Sequence, residues 1–268
     1  MNSFIDIKIG IIGLGYVGTA VHNSFSGGFI DNVIIDPAKG HNHFTYNDLK
    51  NTDAVFVCVP TPRDEAGSCD LSILIDVLFQ LSEVDYTGVI ISKCTAPPHA
   101  YTYLNEVYPN LVHVPEFLTA ANSIQDYLNG EFAIIGGSVK AYMNEAERII
   151  KMGQQNLKNI VHCSIGEAAL TKYAINSFLA TKVVFMNELR GVAVASGLDY
   201  DKIMSMVRLD SRIGNSHMKV PGHDGSYGFG GHCLPKDTET LLNLSKDLGV
   251  TMQVLEAALK KNTLLRLS

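Results

Sequence analysis

The chain has 268 residues, 46% of them hydrophobic, enough to bury one large core or two modest ones. Its 21 Lys and Arg against 27 Asp and Glu leave a net charge of −6, and its longest basic run is Lys260-Lys261, which argues against nucleic acid as the main partner. No apolar run reaches membrane-spanning length, and the five cysteines and nine histidines show neither CxxC pairs nor metal-ligand spacing, which implies reduced thiols, a cytoplasmic setting, no membrane partner and no metal site.

Strands are predicted in chain order over residues 8–12, 33–35, 54–59, 89–92, 111–114 and 133–135, with helical stretches between them. The first leads straight into Gly13, so the opening residues read as strand and not as a leader peptide. Continuous β-branched runs between helices predict a mainly parallel sheet covered on both faces. Beyond residue 165 the strand signal stops. Residues 167–196 read as one long helix, stopped at Gly197, with Asp199 as the next N-cap. Residues 210–231 are a glycine-rich loop, and helices are expected over 235–248 and 251–267. The expected fold is α/β: a Rossmann-type doubly wound domain over 1–165, then an all-α domain over 166–268.

The turn after the first strand reads Gly13-Leu14-Gly15-Tyr16-Val17-Gly18. Here Gly13 permits the tight turn, Gly15 lets backbone approach a pyrophosphate, and Gly18 lets helix pack on strand. The second strand ends at Ile35-Asp36, where a carboxylate would bond the ribose hydroxyls of NAD and repel the extra phosphate of NADP. Lys39 nearby weakens that repulsion slightly.

Lys172 and Asn176 open the long helix and share one face at i, i+4 spacing. An ammonium and an amide on an apolar face suit the orientation of a substrate oxygen and its developing charge. A solvated face would carry the same residues, and spacing alone leaves both readings open. Further on comes Gly230-Gly231-His232-Cys233-Leu234-Pro235-Lys236-Asp237. Pro235 suits the first helical position, which puts Cys233 at or just before the N-cap, where orphan N–H groups and the helix dipole favour a thiolate. Cys58, inside an apolar strand, reads as structural. A nicotinamide site and a reactive thiol on one chain point to a dehydrogenase that can hold its product as a thioester.

Taken together these residues resemble the UDP-glucose/GDP-mannose dehydrogenase family. The matches run in order along the chain: Gly13 to Gly18; Val59-Pro60-Thr61-Pro62, then Asp70-Leu71-Ser72; Lys93-Cys94-Thr95-Ala96-Pro97; Pro115-Glu116-Phe117-Leu118; Lys172 with Asn176; Asp210-Ser211-Arg212-Ile213-Gly214; and the Cys233 loop. The resemblance implies oxidation of a nucleotide sugar's primary alcohol to the carboxylate, with NAD as cofactor and Cys233 as nucleophile. It implies Lys172, Asn176 and Asp237 around the oxyanion and a water, with Glu116 and Thr95 near that water and the nicotinamide. Asp36, Thr61, Tyr16 and Val17 join the glycines on the cofactor side. Phe117, Leu118, Tyr227 and Gly230 would cover the sugar nucleotide. Arg212 would reach the neighbouring subunit's substrate, which implies a homodimer built on the long helix.

The chain departs from the family pattern in places. Ala120 stands where the family has a glutamate, and Thr119 where it has an arginine. The stretch from Arg212 to Cys233 is longer than the common form. The sequence given ends at Ser268, where the family continues into a second α/β domain. A natural short form, a fragment, or a separate polypeptide supplying that lobe would each account for this. Two other readings stand beside the leading one: a one-step β-hydroxyacid-type dehydrogenase, suggested by Gly166, Lys172 and Asn176, and a non-catalytic NAD-binding subunit of this family.

Overall fold

The computed structural model describes residues 7–25, 32–64 and 67–267; Ser268 and the side chain of Ala120 lie outside the described residues. The chain divides into two units, the first Met1–Pro62 with Cys69–Lys172, the second Arg63–Ser68 with Tyr173–Ser268.

The first unit is a doubly wound α/β domain. Its strands are β1 (Ile9–Ile12), β2 (Asn32–Ile35), β3 (Ala54–Val57), β4 (Val89–Ser92), β5 (Leu111–His113), β6 (Phe132–Gly136) and β7 (Asn159–Cys163). They form one sheet in the order β2-β1-β3-β4-β5-β6-β7. From β2 through β5 all pairing is parallel, with Ile12 opposite both Ile35 and Val57; β6 turns antiparallel to β5 at His113 and Gly136.

The helices are α1 (Tyr16–Phe25), α2 (Ser72–Glu83), α3 (Pro98–Val107), α4 (Ser123–Leu128) and α5 (Lys140–Gly153). The period of two along each strand divides the core between them. Ile9, Ile11, Ala54, Phe56, Val89 and Ile91 pack with α1, α4 and α5 residues such as Val21, Tyr127 and Ile149. Ile12, Val55, Val57 and Ile90 face the other way, onto Leu74, Leu78, Tyr101 and Leu104 of α2 and α3. Burial of each such side chain is worth about 1.5–3 kcal/mol, so the central strands hold both layers.

Strand β7 is absent from the sequence-based expectation. It is the outer strand of its sheet, and among the described residues only β6 pairs with it. Its Asn-Ile-Val-His-Cys run is nowhere buried, and Val161 is 56% exposed. Such an edge lacks the continuous apolar run that marks the inner strands.

In the second unit the helices are the remainder of α6 (Ile165–Ala195), α7 (Tyr200–Val207), α8 (Cys233–Asp247) and α9 (Gln253–Arg266). Asp199 caps α7 as expected, accepting from the N–H groups of Asp201 and Lys202. Tyr173 packs with Leu241, Leu242 and Leu255, and Ala180 and Val184 with Phe229 and Ala258. The start of α8 corrects an expectation. His232 is the N-cap, Cys233 is the first helical residue, and Pro235 sits two positions later. The first N–H groups of any helix lack intrahelical acceptors, so proline is tolerated at each of them.

The glycine turn shows why its spacing is fixed. Gly13 has φ +90°, and a Cβ there would lie 2.8 Å from the Cys58 carbonyl oxygen; a Cβ on Gly18 would overlap the Gly13 carbonyl oxygen, while one on Gly15 would meet nothing within 4 Å. Gly18→Ala should therefore lower the unfolding free energy by about 1–3 kcal/mol in urea titration, and Gly15→Ala should stay within about 0.5 kcal/mol of the parent. Equal effects would contradict this packing.

Candidate active site

Gly13, Cys58, Lys93 and Val114 each follow the carboxyl end of a parallel strand. Their N–H groups continue the ladders, donating to Ile35, Ile12, Val57 and Ser92. Every loop that begins there carries candidate residues. Beside the glycine turn, Asp36 accepts from the Leu14 N–H at 2.6 Å and the Lys39 N–H at 3.2 Å. The Lys39 ammonium donates to the Leu14 carbonyl. Tyr16 is exposed and Val17 packs against the core. Thr61 and Thr95 meet, the Thr61 hydroxyl donating to the Thr95 carbonyl at 2.8 Å. Cys69 joins them, its thiol 3.2 Å from the same carbonyl, a neighbour the sequence reading did not place.

A second cluster surrounds Glu116. Its Oε1 accepts from the Phe117 N–H at 3.0 Å, and its Oε2 lies 2.9 Å from Lys93 Nζ. Its backbone carbonyl accepts from the Lys172 ammonium. Lys172 also sits over the Phe117 ring at 5.1 Å, and the Phe117 ring packs against Phe132 at a tilt of 36°. Leu118 is half-buried against the core. At 9% exposure, Lys172 does not belong to a solvated face.

His113 lies beneath this cluster, 1% exposed and stacked on Tyr101 at 4.2 Å. Its Nδ1 is 3.0 Å from the Ser92 carbonyl, an acceptor, so Nδ1 carries the proton. Burial, helped by the Lys93 and Lys172 charges, pushes its pKa down to about 3. Burial likewise pushes the Cys58 thiol up, consistent with a structural role.

In the second unit, Asn176 Nδ2 donates to Asp237 Oδ2 at 2.6 Å. Asp237 is 1% exposed, and its Oδ1 lies 2.7 Å from Lys236 Nζ. Cys233 is a free, exposed thiol one helical turn before Asp237. Arg212 is largely exposed and forks onto Asp210, Nη2 to Oδ2 at 2.6 Å. Tyr227 accepts from Arg190 at 3.1 Å. The space that a Cβ on Gly230 would take is filled by the Arg266 guanidinium, itself paired with Asp224 at 2.7 Å.

Two asparagines hold the glycine loop. Asn262 accepts from the Phe229 N–H at 2.7 Å and donates to the Phe229 carbonyl at 3.0 Å, and Asn187 accepts from the Gly228 N–H at 3.1 Å. Nothing in the local sequence around Asn187, Asn262 or Arg266 marks them, because their partners are distant in the chain. Among the described residues, no group of three or more His, Cys, Asp or Glu could hold a metal ion, and no helix is long and apolar enough to cross a membrane.

Residues 30–153 match the family model described as UDP-glucose/GDP-mannose dehydrogenase family, NAD binding domain, and residues 166–264 match the central domain of the same family. The UDP-glucose 6-dehydrogenase of Rickettsia bellii (strain RML369-C) is 32% identical over 226 residues, covering 82% of this chain and 51% of that protein. UDP-glucose 6-dehydrogenase TuaD of Bacillus subtilis (strain 168) is 30% identical over 225 residues, covering 80% and 47%. The chain thus spans about half the length of the curated relatives it matches. In fold it is similar to the structure of a UDP-glucose dehydrogenase from Pyrobaculum islandicum, with TM-score 0.82 at 24% identity, covering 98% of this chain and 69% of that one.

His113 yields a prediction of known sign. It stays neutral in the folded protein, whereas the unfolded chain takes up a proton below the ordinary value of 6.5. Its contribution to stability is therefore full above pH 6.5 and lost as pH falls toward 3. Between pH 6.5 and 4, His113→Phe should flatten the pH dependence of urea unfolding by up to about 1.4 kcal/mol per pH unit. An unchanged slope would show that the imidazole is not held neutral.

Proposed function

The chain belongs to the UDP-glucose/GDP-mannose dehydrogenase family, and from that premise we propose that it oxidises the primary alcohol of a UDP-glucose-like nucleotide sugar to the carboxylate through a thioester on Cys233. The observation that carries this reading is the exposed Cys233 at the head of α8, one turn before a buried Asp237 that is bonded to Asn176. A relic subunit has no need to keep that costly buried carboxylate bonded to Asn176 and paired with Lys236.

The NAD-binding domain extends over 1–165 and the helical domain over 166–268. NAD, when bound, supplies the hydride acceptor for both oxidations. The open space at Gly15 suits a pyrophosphate, and Asp36 at the end of β2 suits ribose hydroxyls. Tyr16, Val17, Thr61 and Thr95 complete the cofactor side, and Phe117, Leu118, Tyr227 and Gly230 the substrate side. The alcohol loses a hydride and a proton, and the Cys233 thiolate adds to the aldehyde carbon. The resulting thiohemiacetal oxyanion loses a second hydride to become a thioester. Water then adds to the acyl carbon, giving its proton to Glu116, and the C–S bond breaks to release the thiolate and the acid. Lys172, Asn176 and Asp237 hold the oxyanion and the water through these steps.

A homodimer fits the stripe of Phe178, Phe185 and Val192 along α6, each more than half exposed at seven-residue intervals. Val184 and Met186 are turned into the chain's own core instead. Arg212, exposed beyond its link to Asp210, is free to serve the partner's substrate. The thiols of Cys58, Cys163 and Cys233 fit a cytoplasmic setting.

Incubation with NAD and a panel of nucleotide sugars tests the activity, alone and with any separately encoded α/β polypeptide supplying a second nucleotide-sugar lobe. Cys233→Ser should bind NAD normally and form no acid; acid formation at the parental rate by Cys233→Ala would favour the one-step reading. Because Asp36 would face a 2′-phosphate, NADP should bind weaker than NAD by about 1–3 kcal/mol in calorimetric titration. Equal or tighter NADP binding would remove Asp36 from the cofactor site.

A further inference from the structure

Lys93 has no part in the chemistry above, yet it is the most deeply buried cation of the first unit's cluster. Its side chain is 2% exposed. A buried ammonium costs several kcal/mol unless paired, and an apolar residue of similar volume would often be at least as stable there. Lys93 meets that cost through two contacts. Its Nζ lies 2.9 Å from Glu116 Oε2 and 5.4 Å from the centre of the Tyr127 ring. The other Glu116 oxygen is taken by the Phe117 N–H. Both carboxylate oxygens are therefore held, one from α4's side of the sheet and one from the carboxylate's own loop, while Lys172 grips the backbone carbonyl of the same residue.

The other titratable groups around the pair cannot replace Lys93. His113 is neutral, with its one proton committed to the Ser92 carbonyl. Burial holds the Cys58 thiol and the Tyr127 hydroxyl in their protonated forms. Lys172 is a further cation acting here, and its ammonium donates to the Glu116 backbone carbonyl.

We propose that Lys93 is a positioning residue for thioester hydrolysis: it fixes the Glu116 carboxylate in one orientation, so that the carboxylate can take a proton from the attacking water. Lys93 itself exchanges no proton. The water's proton goes to Glu116, its oxygen bonds to the acyl carbon, and the C–S bond breaks. This role acquires weight because the second family glutamate is replaced by Ala120 in this chain. The inference rests on the dehydrogenase reading and concerns only its last step.

The test is a double-mutant cycle on the whole chain with NAD and the best sugar nucleotide. Hydride transfer is followed as NADH absorbance, and hydrolysis as decay of the Cys233 acyl adduct by quenched-flow mass spectrometry. Lys93→Met should slow adduct decay about 10-fold or more while leaving the first NADH phase unchanged, and Glu116→Gln should slow decay by ~10²-fold. Lys93→Met/Glu116→Gln should decay no more slowly than Glu116→Gln alone. A double variant slowed by the product of the two single effects overturns the inference, as does an equal loss of hydride transfer and hydrolysis in Lys93→Met. If Lys93→Met fails to fold, the double variant buries neither charge, and its comparison with Glu116→Gln alone decides the question. A parent chain that makes no NADH from any sugar nucleotide overturns the dehydrogenase reading instead, a result distinct from either.

Discussion

Parallel pairing from β2 through β5 imposes the arrangement on which the first unit depends. Strands that run the same way deliver all their carboxyl ends to one edge of the sheet. The chain leaves β1 at Gly13, β3 at Cys58, β4 at Lys93 and β5 at Val114. Glycine turn, Thr61, Thr95 and Glu116 all come within a few residues of those exits. The order also reverses at β1, whose two neighbours are β2 and β3, and such a switch point leaves a crevice at the carboxyl edge. Packing on both faces of the sheet makes this edge rigid, because no central strand can shift without breaking two cores.

Charge is distributed differently in the two units. The first holds two lysines on one residue, Lys93 on the Glu116 carboxylate and Lys172 on its carbonyl. The second holds one carboxylate, Asp237, between an amide and an ammonium. In each case a buried charge is satisfied from at least two directions, the condition under which burial of charge is tolerable. Single truncation of any partner would leave an uncompensated group, so these residues are better studied in pairs.

Much of this was legible in the sequence. The inner strands are continuous apolar runs, and the glycine spacing reports packing that leaves no room for a Cβ at Gly13 or Gly18. The alternation of β7 between exposed and half-buried positions gave no such signal. The spacing of Lys172 and Asn176 placed them on one helical face but could not say whether it was wet. That was decided by Glu116 and Asp237, which lie 56 and 61 residues away in the chain. Long-range partners are also why nothing local marks Asn187, Asn262 and Arg266, and why Lys93 stands out in the sequence only as part of a motif.

We propose that one chain carries an alcohol through two successive oxidations, the first to the aldehyde and the second on its Cys233 adduct. The most direct measure is stoichiometry: NADH formed against sugar acid formed in a single reaction mixture, by absorbance and chromatography. The account predicts two NADH for every acid, with no free aldehyde accumulating. One NADH per product, with the aldehyde or ketone released to solution, would contradict it.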